Sequence, residues 1–346
     1  MMKTFVNLSM VNDFPTGVGG YCKHIYKQLR SDKKFEFLFM DGGKFLSIKR
    51  ILWNMFIMPL KVGDNIVYSP STHGSLFLKN QILTIHDLIA LNYPHQHRFQ
   101  YFYFKYLVPL LIKNSKKIIA ISEFTKSELI NFYNIDSNKI DIIYNGASRL
   151  QKCNSVDLLN QQKKITNGKP YFITVGANYQ HKNIVNLLKG IKIFDNTDYE
   201  FVILGKENDH LKELRGIVKE NKLDNVKFVN YVSDDLLSIL YQNAQANVYI
   251  SKYEGFGFPP MEAASVGTVS LVSDIPIMKE IYGDTVLYVN PDSPQDIARG
   301  LTEVESKRKF NPILVRKCDD LFSKYTWEKC THQINNLIKE IQLNEK

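Results

Sequence analysis

Ala246-Asn-Val-Tyr-Ile250 runs directly into Ser251-Lys-Tyr-Glu-Gly-Phe-Gly-Phe-Pro-Pro-Met-Glu262-Ala-Ala-Ser-Val-Gly267. The first five residues have the length and apolar character of a buried strand. Pro259 and Pro260 suit the first turn of a helix, where a missing N–H costs nothing, and Gly267 suits its C-terminal cap. Gly255 and Gly257 permit positive φ and let a ligand approach the backbone closely. The segment therefore predicts a strand, a glycine loop and a short helix. The loop's free amides and the positive end of the helix make a place for an anion.

Working outward, the same alternation repeats along the chain. Short β-branched or aromatic runs lie at 3–10, 35–40, 65–69, 81–86, 116–121 and 140–144, and again at 171–175, 200–204, 226–229, 246–250, 268–272 and 286–289. Helical patterns lie between them near 18–31, 45–57, 98–113 and 122–134, then near 182–194, 209–222, 233–243, 259–267 and 293–305, with two more toward the C-terminus. Strands alternating with helices predict an α/β fold with parallel sheets. The polar stretch 151–169 reads as a connection holding one short helix, and Asn145-Gly146 as a turn before it. For 346 residues two domains are expected, 1–165 and 166–325, followed by a C-terminal helix over 326–346 that packs back on the first. Ligands of open α/β sheets bind beyond the carboxyl ends of the strands.

Composition narrows the class. With 44% hydrophobic and 23% charged residues the chain is neither disordered, coiled-coil nor collagen-like. The longest apolar stretch, Ile51 to Leu60, is interrupted by Asn54 and falls short of the ~20 residues that span a bilayer. The N-terminus carries no signal-peptide pattern, so a cytoplasmic location is expected. Cys22, Cys153, Cys318 and Cys330 form no Cys-x-x-Cys pair and are read as free thiols. The net charge of +9 is uneven: residues 1–165 hold 22 Lys and Arg against 11 Asp and Glu, the remainder 22 against 24. A basic first half suits an anionic membrane, a nucleic acid or a phosphorylated substrate, or is a solvated surface.

Glu254 precedes the glycine loop and Glu262 lies in the first turn of the helix. A carboxylate offers several lone pairs in one plane and is a natural ligand for a diol. Taken alone, the pair equally suits a solvated loop residue and a helix-dipole partner.

The segment resembles the donor-binding signature of the retaining glycosyltransferases of family 4, two glutamates separated by seven residues around Gly-Phe-Gly. The resemblance continues through Thr268-Val-Ser-Leu-Val-Ser-Asp-Ile-Pro276, Lys279-Glu-Ile-Tyr-Gly-Asp284, Asn225 to Leu236 and Leu240 to Ala244. Bacterial mannosyltransferase-like members of polysaccharide and lipopolysaccharide assembly look most alike. The resemblance implies the GT-B fold, two Rossmann-like parallel-sheet domains facing across a cleft, with the acceptor on the first and a nucleotide-sugar on the second.

It also implies roles. Glu254 contacts hydroxyls of the transferred sugar and Glu262 the ribose. The amides of Gly255, Phe256, Gly257 and Phe258 lie near the sugar and diphosphate. Tyr231 and Val232 read the base, with Asn230 in place of the usual glycine before them. In Val175-Gly-Ala-Asn-Tyr-Gln-His-Lys182, Lys182 neutralises the leaving diphosphate. The family's accompanying arginine is replaced by Ala177 and His181, so the second charge is absent, or comes from His181 or from Lys206. Gly17 and Gly19 resemble the glycine-rich first loop beside the donor. His86, ending a strand in His-Asp, is expected at the catalytic centre, donating to a sugar hydroxyl or to developing negative charge, and Asp87 is expected to orient it or to shape the acceptor site.

No Asp-x-Asp occurs, so neither a metal nor another cofactor is expected. Lys49 to Lys61 and Arg98 to Tyr106 mix aromatic and cationic side chains, as core or as a docking face for an anionic inner leaflet. No nucleic-acid motif accompanies the charge. The expected activity is retaining, metal-independent transfer of a sugar, mannose from GDP-mannose by preference, to a glycan or lipid-linked glycan. The alternatives are a nucleotide-sugar epimerase or phosphorylase-type enzyme, and a non-catalytic sugar- or membrane-binding subunit. Only an epimerase needs no acceptor.

Overall fold

A computed structural model describes residues 3–11, 17–40, 45–306 and 319–344. It divides into two compact units, Met1–Gly146 with Tyr325–Lys346, and Ala147–Lys324.

The first unit is a six-stranded parallel sheet in the order β2-β1-β3-β4-β5-β6. Its strands are β1 (Thr4–Leu8), β2 (Phe35–Phe39), β3 (Ile66–Ser69), β4 (Gln81–Ile85), β5 (Lys117–Ala120) and β6 (Ile140–Ile142). Helices cover both faces, so the central strands are buried on both sides and read as apolar runs. One face packs against helix α1 (Gly17–Leu29) and the C-terminal helix Trp327–Asn344 through Val6, Leu8, Cys22, Ile25, Ile334 and Ile338. The other packs through Leu83, Ile85, Leu111, Ile118 and Leu129.

Two long helices of this unit share one irregularity. Ile48–Leu52 and Met58–Val62 are joined by a π-helical turn at Trp53–Ile57, and Arg98–Phe102 and Val108–Asn114 by one at Tyr103–Leu107. A proline stands two residues past each wide turn, Pro59 and Pro109, and brings no N–H to the ladder. The turn widens instead: the Met58 amide donates to Trp53 O, and the Val108 amide to Tyr103 O. Carbonyls released beside each proline find side chains, since Met55 O accepts from Ser75 Oγ at 2.8 Å and Phe104 O from Tyr133 OH at 2.6 Å. These are π-bulges with an identifiable cause.

The second unit repeats the architecture in the order β12-β11-β10-β7-β8-β9. Its strands are β7 (Tyr171–Val175), β8 (Glu200–Leu204), β9 (Val226–Val229), β10 (Ala246–Tyr249), β11 (Ser270–Ser273) and β12 (Leu287–Val289). One face is sealed by Ile184, Leu187, Leu188, Ile297 and Leu301 from the helices Ile184–Phe194 and Pro294–Ser306, the other by Leu236, Leu240, Tyr241 and Ala263.

Every expected strand is present to within two residues at either end. The division falls elsewhere: it follows Gly146, not 165. The helix Val156–Ile165 belongs to the second unit, where Leu158 and Ile165 pack on the cluster of Leu236 and Leu240 and Ser238 Oγ donates to Gln151 O at 2.6 Å. Asn145-Gly146 is no turn. Gly146 lies outside any helix, strand or turn, and a Cβ there would stand 2.5 Å from the Trp327 ring and backbone nitrogen. The glycine makes room for the C-terminal helix. The short helices Ile89–Asn92 and Pro276–Tyr282 were not among the expected elements. Each is too short to display a full apolar period. Cys22, Cys153 and Cys330 are free thiols, and Cys318 lies outside the described residues. Among the described residues no helix is long and apolar enough to cross a membrane.

Candidate active site

In the second sheet β7 pairs with β8 on one side and β10 on the other. The chain order reverses between β7 and β10, which opens a crevice beyond their carboxyl ends. The loop after β7 carries His181 and Lys182; the loop after β10 carries Ser251 to Phe258. The two meet there.

Lys182 Nζ stands 2.6 Å from Glu254 Oε1 and 2.7 Å from Tyr249 OH, and Tyr249 OH donates to the same Glu254 oxygen at 2.7 Å. The ammonium also lies 4.9 Å from the centre of the Tyr249 ring. Both ionised side chains are largely buried, at 16% and 13% exposure, so their attraction is little screened. Burial works to raise the Glu254 carboxyl. The charge of Lys182, then that of His181, and the hydrogen bonds it accepts outweigh burial and hold it below the usual carboxylate value. Tyr249 is driven well above the ordinary phenol, first by burial and then by the Glu254 charge. The three make a buried, charged, mutually hydrogen-bonded cluster.

Tyr249 was not among the expected site residues, although the strand held a signal. Ala246, Val248 and Ile250 pack into one core while Asn247 and Tyr249 point to the other face, where Asn247 Nδ2 bonds Ser270 Oγ at 3.1 Å. Polar-tipped residues on one side of an otherwise apolar strand need partners.

Glu262 sits apart from this pair in the helix Pro259–Ser265, with Tyr241 OH 3.5 Å from its Oε2. Burial, and then the nearby charge of Asp234, pushes its carboxyl up to about 7, against the hydrogen bond from Tyr241. Of the two loop glycines only Gly257 takes positive φ, at +84°; its carbonyl accepts from Tyr282 OH. A Cβ at this position would lie 2.6 Å from Met278 Cε. The rings of Phe256 and Phe258 pack at 4.9 Å.

His181 is buried and stacks on Tyr179 at 5.5 Å, with its carbonyl receiving the Lys252 amide at 2.8 Å. Asn178 ties the neighbouring loop down, donating to Lys206 O at 2.9 Å and accepting the Lys206 amide at 3.3 Å. Lys206 is exposed on the loop after β8. Tyr231 follows β9 and is 83% exposed, and its amide is taken by Asn230 Oδ1 at 2.8 Å. The replacement of glycine by Asn230 thus caps an amide expected to face the base; Val232 is half-buried beside it.

The remaining expected residues lie in the first unit. His86 ends β4, buried, with Nε2 3.1 Å from Pro70 O and its ring edge-on to Tyr21 at 4.7 Å. A carbonyl only accepts, so Nε2 carries the proton. Burial drives the ring's pKa down to about 4, so it is neutral near pH 7 and its Nδ1 accepts. Asp87 Oδ1 accepts the Ile89 amide at 3.1 Å. Gly17 opens α1 and Gly19 is buried within it. Ser122 caps the helix Glu123–Tyr133, accepting the Thr125 amide at 3.0 Å, and Glu128 accepts from Asn92 Nδ2 at 3.1 Å. No group of three or more His, Cys, Asp or Glu among the described residues is arranged to hold a metal ion.

Comparison with known proteins agrees in both halves. The family described as Glycosyl transferases group 1 matches residues 155–318, and Glycosyltransferase Family 4 matches residues 68–148. The chain is 31% identical over 289 residues to the O-antigen chain mannosyltransferase RfbU of Salmonella typhimurium, covering 83% of this chain and 77% of that one. It is 25% identical to the O-antigen chain mannosyltransferase B of Escherichia coli over 80% of this chain and 74% of that one. Among solved structures, Anabaena HepE in complex with UDP and glucose superposes with a TM-score of 0.76 at 16% identity, covering 98% of this chain and 100% of that one. WaaG, a glycosyltransferase involved in lipopolysaccharide biosynthesis, superposes at 0.68 and 12% identity, covering 94% and 98%. These likenesses establish the GT-B fold.

Proposed function

Because the chain belongs to the group 1 glycosyl transferases of family 4, and is a glycosyltransferase with that fold, we propose that it moves mannose from GDP-mannose to a hydroxyl of a glycan or lipid-linked glycan in O-antigen-type polysaccharide assembly. The choice of mannose rests on the likeness to the two O-antigen mannosyltransferases. The observation that carries the donor assignment is the buried contact of Lys182 with Glu254 at the switch point of the second sheet.

In this reading Lys182 turns from Glu254 to the donor's diphosphate, and Glu254, relieved of part of its partner, accepts hydroxyls of the sugar. Charge on the diphosphate grows as the bond to the sugar breaks, so a preorganised ammonium in a water-poor site is worth more in the transition state than in the ground state. Glu262 holds the ribose diol, and the exposed ring of Tyr231 offers a face on which guanine stacks. In the first unit, Asp87 is proposed to bind the acceptor and His86 to act as a catalytic residue.

The transfer is proposed to retain anomeric configuration by a front-face route. The acceptor oxygen bonds to the anomeric carbon as the bond from that carbon to phosphate breaks, and the acceptor proton passes to a leaving phosphate oxygen. Among the described residues no side chain is assigned as a covalent nucleophile. Metal independence is supported by the missing Asp-x-Asp and by Lys182, which supplies at the diphosphate the charge a divalent ion would.

The test is product analysis on the full chain with GDP-mannose, a polyprenyl-diphosphate-linked sugar acceptor, and EDTA. The reading expects one hexose added with the donor's anomeric configuration, undiminished by EDTA. Conversion of the nucleotide-sugar to an isomer without acceptor would assign an epimerase instead.

A further inference from the structure

The two π-bulged helices of the first unit have a use that glycosyl transfer does not absorb. With Pro59 and Pro109 in equivalent places, Leu52, Phe56 and Leu60 correspond to Phe102, Tyr106 and Leu110. All six are at least half exposed. A spacing of four keeps each trio on one stripe of its helix, one turn apart. Between the stripes lies the β3–β4 connection, whose Phe77 is 65% exposed and packs 5.6 Å from the Phe56 ring. The same connection is tied to the second helix, where Asn114 Nδ2 donates to Leu76 O at 2.8 Å and Leu78 O at 3.0 Å. The result is one apolar surface running from helix to helix, of a kind monomeric proteins rarely leave to water.

Its charge says what covers it. From residue 42 to residue 122 the chain holds ten Lys and Arg and only two acids, Asp64 and Asp87. Lys49, Lys61, Lys79, Lys105 and Lys113 are exposed on these same elements. A second copy of the chain, docking by a two-fold, would set this cationic patch against itself. Protein interfaces are also depleted in lysine at their cores. Anionic headgroups complement it: lysine stems lie along apolar surface with their ammonium groups in the phosphate layer, while the aromatic and leucine tips enter the boundary with the acyl chains.

We propose that this face docks the first unit onto an anionic lipid bilayer. The proposal is independent of the donor's identity. None of the residues of this face is among the donor contacts described above.

The test is sedimentation of the full chain with vesicles of phosphatidylcholine alone or mixed with phosphatidylglycerol. Two variants accompany it, Leu60→Asp/Phe77→Asp/Leu110→Asp and Lys61→Glu/Lys113→Glu, all at exposed positions. The wild type is expected to bind the anionic vesicles at least tenfold more tightly than the neutral ones, and less tightly as salt rises. Each variant is expected to lose at least tenfold while keeping the wild-type melting temperature and its increase with GDP. Equal binding to both vesicles, no binding, or variants that bind like wild type would overturn the proposal. So would a wild-type dimer in sedimentation velocity that the apolar variant dissolves without any vesicle binding, which assigns the face to a second copy. Absence of a GDP effect in the wild type counts against the donor site and leaves the vesicle result to be read by itself.

Discussion

Lys182 and Glu254, 72 residues apart in sequence, meet at 2.6 Å in a largely buried contact at the crevice between β7 and β10. Removing either partner leaves an uncompensated buried charge, which typically costs about 3–5 kcal/mol. Lys182→Ala and Glu254→Gln should each lower transfer by roughly a hundredfold or more. In a double-mutant cycle the two losses should fall well short of adding. Initial rates of the two single variants and the double variant check this. Additive losses would mean the residues act separately.

Tyr249 holds both members of that pair through one hydroxyl. Tyr249→Phe keeps the ring and its contact with the ammonium and removes only the bridge. It should reduce kcat by about tenfold, the order expected from one lost hydrogen bond to a charged group, with a small effect on melting temperature. A variant with unchanged kcat and a lower melting temperature would make Tyr249 structural only.

Glu262 gives a signed dependence on pH. Its carboxyl titrates at about 7 in the folded chain against an ordinary value of 4.5. The folded state therefore keeps a proton the unfolded state has lost. The resulting stabilisation is complete below pH 4.5 and disappears as pH rises to about 7, up to about 3 kcal/mol in all. His86 and His73, both driven down to about 4 by burial, act oppositely: their contribution is complete above pH 6.5 and is lost as pH falls towards 4. The difference between wild type and Glu262→Gln isolates the first effect. The variant should lose less stability than wild type between pH 5 and 7.5, read from melting temperatures. If the ionised form holds the ribose, nucleotide affinity in the wild type should rise over the same interval.

Asn230 caps the Tyr231 amide that the nucleobase is expected to use. Asn230→Gly frees it and should tighten GDP binding several-fold, whereas Tyr231→Ala removes an exposed stacking face and should weaken it by about 1–3 kcal/mol. Calorimetric titration of both variants decides. Unchanged affinity in both would move the base elsewhere.

Much of this was legible in the chain. The strands were, because sheets buried on both faces write themselves as apolar runs between turn residues. Glu254 and Glu262 were singled out by one segment and Lys182 by another, and only the assembled sheet shows that Lys182 and Glu254 meet. Tyr249, Tyr241 and Tyr282 were not. Their hydroxyls find Glu254, Glu262 and the Gly257 carbonyl only once the sheet and helices are assembled, and one chain of residues does not list which hydroxyl faces which acid. The division after Gly146 was hidden for a related reason: Val156–Ile165 is polar in sequence, and its few apolar residues declare a side only by packing on Leu236 and Leu240. The π-bulges were announced by Pro59 and Pro109, but read as helices of ordinary pitch.

Gly146 makes a separate prediction about the fold. Gly146→Ala places a Cβ within 2.5 Å of the Trp327 ring and its backbone nitrogen, so the C-terminal helix must shift. Overpacking of this kind costs about 1–3 kcal/mol. The melting temperature should fall by several degrees, and Trp327→Leu in the same chain should restore part of the loss. No change in the single variant would mean the helix is not held against Gly146.

The central claim is that the Lys182–Glu254 cluster is the donor site. Calorimetric titration of GDP-mannose into the wild type, Lys182→Ala and Glu254→Gln, with EDTA present throughout, addresses it most directly. The account predicts metal-independent binding to the wild type, weakened at least tenfold in Lys182→Ala through loss of the diphosphate contact, and weakened in Glu254→Gln for GDP-mannose more than for GDP. Equal affinities in all three proteins would contradict it.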